Sequence, residues 1–289
     1  MTRSAAKDLS WWERVRHRAG IGTYTVQRLS AWALAPTDWG QAQIVSQAEN
    51  ASYEVWSRVV PLRSPGGDPV LEAGKRLNLQ LLAARLHGTL WPAGQAISFW
   101  RTVGRLCPKA GYVLGAELRA GCVVPAIGGG VCLITNALYG MGLGLGWEIV
   151  ERHAHSLAYG ETPPQGEVAV DATVFWPYVD LRMKPSVSIW LDVRVTDESL
   201  ALRAFAAHPV AQRQLRTEVS RDTTRERRRI LVVLPNDGGT TLVADDVKMI
   251  KQGPLGARNC LQCGEVCASR PRDLFAQPQA RVGASRPKP

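Results

Sequence analysis

Apolar positions recur at helical spacing between Val70 and His87, where Leu77, Leu81, Ala84 and Leu86, with Arg85 among them, outline an amphipathic helix that Gly88 ends. Asn78 lies inside it. Buried, it would tie the helix to a neighbouring loop; exposed, it would be ordinary helix surface. Pro92-Ala93-Gly94 then marks a turn, Ile97 to Trp100 predicts a strand, and Tyr112 to Leu118 predicts a short extended piece with Glu117 its one charge. Between Arg119 and Glu148 no charged residue intervenes, a length that invites a membrane span. Pro125, the triplet Gly128 to Gly130 and the later Gly140, Gly142, Gly144 and Gly146 break any continuous spanning helix. The stretch instead predicts a buried helix after Cys132, closed by the later glycines. Trp147 to Val150 predicts a strand into Arg152. Val168 to Phe175 and Val187 to Val195 predict two more, the latter with Ser188, Trp190 and Asp192 alternating against Ile189, Leu191 and Val193. Ser199 to Ala206 closes the sheet. The sum is an α+β fold, a mixed or antiparallel sheet packed on a central helix that carries the Gly-Gly-Gly-x-Cys motif.

The flanks have a different character. Trp11 and Val15 against Arg14 and Arg18 predict a short helix with tryptophan on one side and arginine on the other. Such a helix either packs on the main domain or makes a peripheral contact with a membrane surface, arginine to lipid phosphate and tryptophan at the interface. The packed arm is the simpler reading, and Trp32, Trp39 and Trp56 continue its tryptophan theme. No unbroken apolar core follows the first basic residues, so the chain does not read as carrying a secretory signal and is expected in the cytoplasm, at most peripheral to the inner membrane face. The loop from Arg63 to Pro69 is the best boundary. It divides the chain into a tryptophan- and arginine-rich arm over 1–70, a main domain over 71–206 and a basic extension over 207–289. In that extension the arginines from Arg213 to Arg229 predict a helix or an extended edge, followed by a strand from Ile230 to Leu234 and a turn from Pro235 to Gly239. Beyond Pro278 the composition predicts disorder.

Composition narrows the picture. With 289 residues, 45% of them hydrophobic, the chain can bury a sizeable core, which excludes disorder throughout. A net charge of +10 favours acidic partners: nucleic acid, an anionic membrane or an anionic cell-envelope-related small molecule. Few aromatics are interleaved with the arginines, which argues against nucleic acid and for a solvated basic face. Cys260, Cys263 and Cys267 form a dense cluster that, under reducing conditions, favours metal over disulfide. Zinc or an iron-sulfur cluster there would need a fourth ligand from Cys107, Cys122, a histidine or a second chain. Otherwise these are ordinary loop thiols, and no cofactor is required.

The candidate chemistry gathers at Pro125 to Tyr139. The glycines deliver Cys132 to the first turn of the predicted helix, beside unpaired backbone N–H groups and the positive end of the helix dipole, a setting that favours thiolates. A lone cysteine there could equally be a small core residue. What changes the balance is His153 and His155, followed by Asp171: a cysteine nucleophile needs a base, and the base needs a group to fix its tautomer. The two histidines alternate, so on a strand both share one face and spacing does not choose between them.

The ordered motifs Ala73 to Leu79, His87-Gly88, Pro92 to Gly94, Ile97 to Phe99, Val103-Gly104, Gly111-Tyr112, Gly128 to Cys132, Asn136, Glu151 to His153, His155-Ser156 and Asp171 to Val174 resemble the VanW family over about Leu71 to Leu202. That family is named after an accessory protein of vancomycin-resistance clusters. The resemblance implies that Cys132 matches the nucleophile of extracellular relatives that act as L,D-transpeptidases on peptidoglycan. Gly128, Gly129, Gly130, Asn136 and Arg152 are the candidate substrate-binding residues. Many relatives carry glutamine directly after the cysteine, where this chain has Leu133; Thr135 keeps the nearby hydroxyl. Two functions follow. In one, Cys132 attacks an amide or ester carbonyl, His153 or His155 moves the proton, Asp171 orients the imidazole and backbone N–H groups after the glycines receive the oxyanion. In the other, a noncatalytic accessory protein linked to glycopeptide resistance uses the same cleft to bind a cell-envelope precursor or a partner.

Overall fold

The computed structural model describes residues 11–34, 39–40, 43–44, 52–62, 67–119, 122–158, 168–235 and 238–250. The amino-terminal half of the described chain contains helix α1 (Trp11–Leu34), strands β1 (Trp39–Gly40), β2 (Gln43–Ile44) and β3 (Tyr53–Pro61), helix α2 (Pro69–Leu86), strands β4 (Thr89–Trp91) and β5 (Ala96–Ser98), and the short helix α3 (Phe99–Val103). Strands β6 (Leu114–Arg119) and β7 (Cys122–Ile127) lead into helix α4 (Cys132–Gly144), followed by β8 (Glu148–Glu151) and β9 (Leu157–Ala158). Then come β10 (Arg182–Lys184), β11 (Ile189–Val195), β12 (Ser199–Ala206), β13 (Gln214–Arg221), β14 (Arg225–Val233) and β15 (Thr240–Ile250). Helices and mainly antiparallel sheets together make the fold α+β.

The strands form sheets in the orders β1-β5-β10-β8, β2-β4-β11-β12-β3 and β13-β14-β15-β9, with β6-β7 as a separate hairpin. In the second sheet β11 and β12 pair antiparallel from Trp190↔Phe205 to Val195↔Leu200, and β12 alternates strictly, with Leu200, Leu202, Ala204 and Ala206 buried. This one-sided face is what alternation along a strand requires. A continuous apolar core joins it to α2 and α4 through residues such as Leu79, Leu82, Leu138, Tyr139 and Met141.

Helix α2 begins where Asp68 accepts hydrogen bonds from the amides of Val70 (3.0 Å) and Leu71 (3.2 Å), with Pro69 in the first turn. Its inner face holds Asn78, which is fully buried. The Asn78 amide donates to the carbonyls of Val113 (3.0 Å) and Gly129 (3.1 Å), and its oxygen accepts from the Val113 amide (2.9 Å). One side chain thus ties α2 to the start of the hairpin and to the glycine loop that follows it. Gly129 is required there by contact: a Cβ on it would lie 2.3 Å from the Gly115 carbonyl oxygen.

Some predicted elements shift. Phe99 and Trp100 open α3 instead of ending a strand, because Ser98 accepts from the Arg101 amide (3.1 Å) and caps a helix there. The segment 168–175 is not a continuous strand; it makes isolated bridges at His153↔Thr173 and Phe175↔Val179. Its backbone is held instead by side chains of α4, described below. The amino-terminal helix is longer than Trp11 to Arg18, and Tyr24, Arg28 and Trp32, spaced by four, dock it. Tyr24 meets Tyr178 with ring centroids 4.8 Å apart, Trp32 meets Trp176 at 6.1 Å, and Arg28 donates to the Pro177 carbonyl at 2.7 Å. The arginine-rich segment forms β13 and β14, where Arg216 pairs with Glu218, Arg221 and Arg228 with Glu226, and Arg227 with Asp245. Those arginines are laced to carboxylates across the sheet. Among the described residues no helix is long and apolar enough to cross a membrane.

Replacing Asn78 by alanine removes the side-chain partner of the Val113 amide and the Gly129 carbonyl. We expect Asn78→Ala to lower unfolding stability by about 3 kcal/mol, from the cost of leaving buried polar groups unpaired. Urea unfolding followed by circular dichroism checks this; a loss under about 1 kcal/mol would show that the clasp is dispensable.

Candidate active site

The glycine loop enters α4 with Gly128 at φ 77° and Gly130 at φ 99°, both in the left-handed region that residues with a Cβ avoid. Inside this turn the Val131 amide donates to the Gly128 carbonyl (3.3 Å) and the Leu133 amide to the Gly130 carbonyl (3.0 Å). Among the described residues the Cys132 amide has no backbone acceptor. It is one of the orphan donors that every helix start presents.

Cys132, Thr135 and Asn136 stand at i, i+3 and i+4 and so share one face of α4. Thr135 donates to the Ala172 carbonyl (2.6 Å), and the Asn136 side-chain oxygen accepts from the Ala172 amide (2.6 Å). The Cys132 Sγ lies 3.6 Å from Thr173 Oγ1. The face that carries the thiol therefore also clamps the segment that carries Asp171. This explains the missing strand: the backbone groups of Ala172 are satisfied by a helix face instead of a ladder.

Asp171 is 4% exposed. Its Oδ1 lies 2.5 Å from His155 Nδ1, its Oδ2 accepts from the His155 amide at 3.0 Å, and the same Oδ2 pairs with the Lys248 ammonium. His155 and Cys132 line the same cavity, and the thiol is near enough to favour charge on the imidazole, while the hydrogen-bond partner of the sulfur is Thr173 Oγ1. With Nδ1 committed to Asp171, Nε2 is the ring nitrogen left for the sulfur. Burial works against charge on the imidazole, but the hydrogen bond to Asp171 and the nearby Cys132, with their Coulomb attraction, outweigh it and raise His155 to about 10. Burial would likewise raise Asp171, yet its bonds and proximity to His155 and Lys248 hold it well below the usual carboxylate range.

Cys132 and His155 open onto a cavity of about 520 Å³. Gly128, Gly129, Gly130 and Asn136 line it, as do the charged Glu72, Lys75, Arg105 and Glu117 and the aromatic Trp100, Phe175 and Trp176. Phe175 stands 52% exposed at this cleft. Leu133 lines it too.

The remaining candidates lie elsewhere. His153 does not share a face with His155, because β8 ends at Glu151 and strict alternation ends with it. It points to a second cleft, 53% exposed and 3.7 Å from Glu151. Arg152 lines that second cleft as well, bonded to Asp246 (2.6 Å) and the Tyr139 hydroxyl (3.2 Å), with its guanidinium over the Tyr139 ring. Cys260, Cys263 and Cys267 fall outside the described residues. Among those that are described, no group of three or more His, Cys, Asp or Glu side chains is arranged to hold a metal, and Cys107 is a free thiol. Lys248 and Thr173 were not expected from the sequence. A lysine within a strand carries no signal of its own until its burial is known.

A folded His155 near 10, against 6.5 for an ordinary imidazole, contributes stability that is complete below about 6.5 and is lost as pH rises toward 10. The depressed Asp171 contributes in the opposite sense, with stability present above its ordinary 3.8 and lost as pH falls. The melting-temperature gap between the wild type and His155→Gln should therefore be widest between about pH 5 and 6.5 and shrink steadily toward pH 10. A gap that stays constant over pH 6 to 10 in thermal unfolding would refute the raised value.

The family profile described as VanW like protein matches residues 74–205. The chain is 30% identical over 144 residues to the vancomycin B-type resistance protein VanW of Enterococcus faecalis, covering 49% of this chain and 52% of that protein. It is 27% identical over 107 residues to the uncharacterized protein YoaR of Bacillus subtilis, 37% of this chain and 34% of that one. The chain thus spans about half the length of the first of these curated relatives and less of the second. No solved structure gives a significant match. Cys132, His155 and Asp171 all lie inside the matched segment, and over that segment, residues 74–205, the chain is VanW-like.

Proposed function

We propose that this protein carries out cysteine-dependent acyl transfer or hydrolysis on an amide substrate related to peptidoglycan or its precursors. The observation that carries the reading is the line from Cys132 through His155 to Asp171 at one cleft. A thiol at a helix start, an imidazole beside it and a buried carboxylate behind the imidazole are the parts a cysteine acyltransferase needs. The envelope-related substrate is suggested by the printed name of the enterococcal relative, which concerns vancomycin resistance.

In this reading the Cys132 sulfur, as thiolate beside a protonated His155, adds to the substrate carbonyl. The developing oxyanion is met by the Cys132 amide, which has no competing backbone acceptor. His155 gives its proton to the departing amine as the carbonyl–nitrogen bond breaks, leaving a thioester on Cys132. An incoming amine or water then loses a proton to His155, attacks the thioester and releases the thiolate. Asp171 stays ionised throughout and holds the ring in place. Phe175 and Trp176 offer apolar surface to the substrate, and charged side chains of both signs line the cleft.

Alkylation of Cys132 by iodoacetamide tests the reading. The wild type should react at neutral pH at least tenfold faster than its own unfolded thiols, Cys132→Ala should lose that fast phase, and His155→Ala should slow it on the order of 100-fold. A wild-type thiol that reacts no faster than a denatured one would leave a noncatalytic cleft that holds an envelope precursor, the reading that Leu133 in place of glutamine would then favour.

A further inference from the structure

Lys248 is a buried cation that the proposed chemistry does not use. It lies on β15, well past the segment that matches the family profile. Only 3% of it is exposed, and its ammonium ends on Asp171 Oδ2. An ammonium removed from water is tolerated only with a counter-charge in place, so Lys248 and Asp171 hold each other ionised. The carboxylate is thereby fully used: Oδ1 by the His155 ring, Oδ2 by the His155 amide and by Lys248. A carboxylate gripped from both oxygens cannot rotate away from the imidazole.

The strand that delivers this lysine is fastened next to the histidine. Strand β15 runs parallel to β9, pairing Met249↔Leu157 and Ile250↔Ala158, and the Met249 amide donates to the Ser156 carbonyl at 2.9 Å. Two residues before Lys248, and so on the same side of the strand, Asp246 binds Arg152 at 2.6 Å. Opposite Lys248 on β14 stands Glu226, itself fully buried and paired with Arg221 and Arg228. The charged and titratable groups around the pair are therefore Asp171, His155, Cys132, Glu226 and the Arg152–Asp246 bridge.

We infer that Lys248 is a positioning residue of the Cys132 site, anchoring Asp171 and sharing its charge so that His155 does not hold its proton too tightly to pass it on. The inference rests on the acyl-transfer reading for its purpose, but its physical content is separate. One carboxylate serving two cations attracts each less than it would attract one alone, and a second cation a few ångströms from the imidazole repels the proton directly. Removing the ammonium should therefore strengthen the hold of His155 on its proton. A lysine that merely packs β15 against the domain would leave that hold unchanged.

The test is the His155 ring signal, followed by NMR in the full chain for the wild type, Lys248→Met and Lys248→Arg. Across a full pH titration, the midpoint of the His155 signal should lie about one pH unit higher in Lys248→Met than in the wild type, a tenfold change in the proton equilibrium. Lys248→Arg, which keeps the charge, should return to near the wild-type midpoint. Equal midpoints in wild type and a folded Lys248→Met overturn the inference. Should Lys248→Met fail to fold, the Lys248 ammonium nitrogen signal in the wild type decides: it must step at the same midpoint as His155, and a signal that ignores that midpoint overturns the coupling. Iodoacetamide labelling separates the two readings. A shifted His155 with a slow Cys132 keeps the role of Lys248 and removes acyl transfer, whereas an unmoved His155 with a fast Cys132 does the reverse.

Discussion

The site depends on a charge kept out of water. Asp171 would be costly to bury alone, since an unpaired carboxylate in a poorly polarisable interior either protonates or unfolds its surroundings. Here it is surrounded by an imidazole, an ammonium and a backbone amide that come from two parts of the chain, residue 155 and residue 248. Both parts contribute to holding the carboxylate ionised. Cys132 gains its neighbour through the same carboxylate, because the imidazole beside the sulfur is the one Asp171 holds. The chemistry and the tertiary fold therefore have one electrostatic origin.

The thiol is brought to this charge by a second constraint, which is steric. The glycine loop passes so close to the β6-β7 hairpin that any side chain at Gly129 would strike the Gly115 carbonyl, and Asn78 clasps the two backbones from the other side. Helix α4 starts from this fixed point. Its first turn then uses Thr135 and Asn136 to grip Ala172, which sets Asp171 and Thr173 on either side of the clamp. Small residues do here what hydrogen bonds do at the carboxylate: they leave the backbone a single path.

How far this was legible in the sequence depends on the range of the forces involved. Local signals worked well. The alternation in Ser199 to Ala206, the helix ended by Gly88 and the helix opening at Cys132 all appear in the fold, because period and capping are properties of neighbouring residues. The buried reading of Asn78 also holds. Choosing between His153 and His155 required knowing where β8 ends, and strand ends are set by pairing partners far along the chain. The segment 168–175 had the composition of a strand but is satisfied by a helix face instead, a competition that periodicity does not register. Lys248 was the hardest to foresee. It lies in an eleven-residue strand, Thr240–Ile250, dotted with Asp245, Asp246 and Lys248, which in sequence resembles an exposed edge.

That last point bears on how the chain is divided. Composition sets 207–289 apart as a basic extension, and the family match ends at residue 205. Yet the β13-β14-β15-β9 sheet includes a strand that directly follows the histidine, and it returns two charged side chains, Asp246 and Lys248, to Arg152 and Asp171. Four of the arginines that mark the extension, Arg216, Arg221, Arg227 and Arg228, are meanwhile paired with Glu218, Glu226 and Asp245 on the sheet. Paired cations of this kind exert little attraction at a distance once salt screens them. The charge of those four arginines is thus met on their own sheet, and what that sheet contributes to the cleft is one lysine placed behind the imidazole. A boundary drawn where the composition changes would cut the site between its carboxylate and one of the cations that keep it ionised.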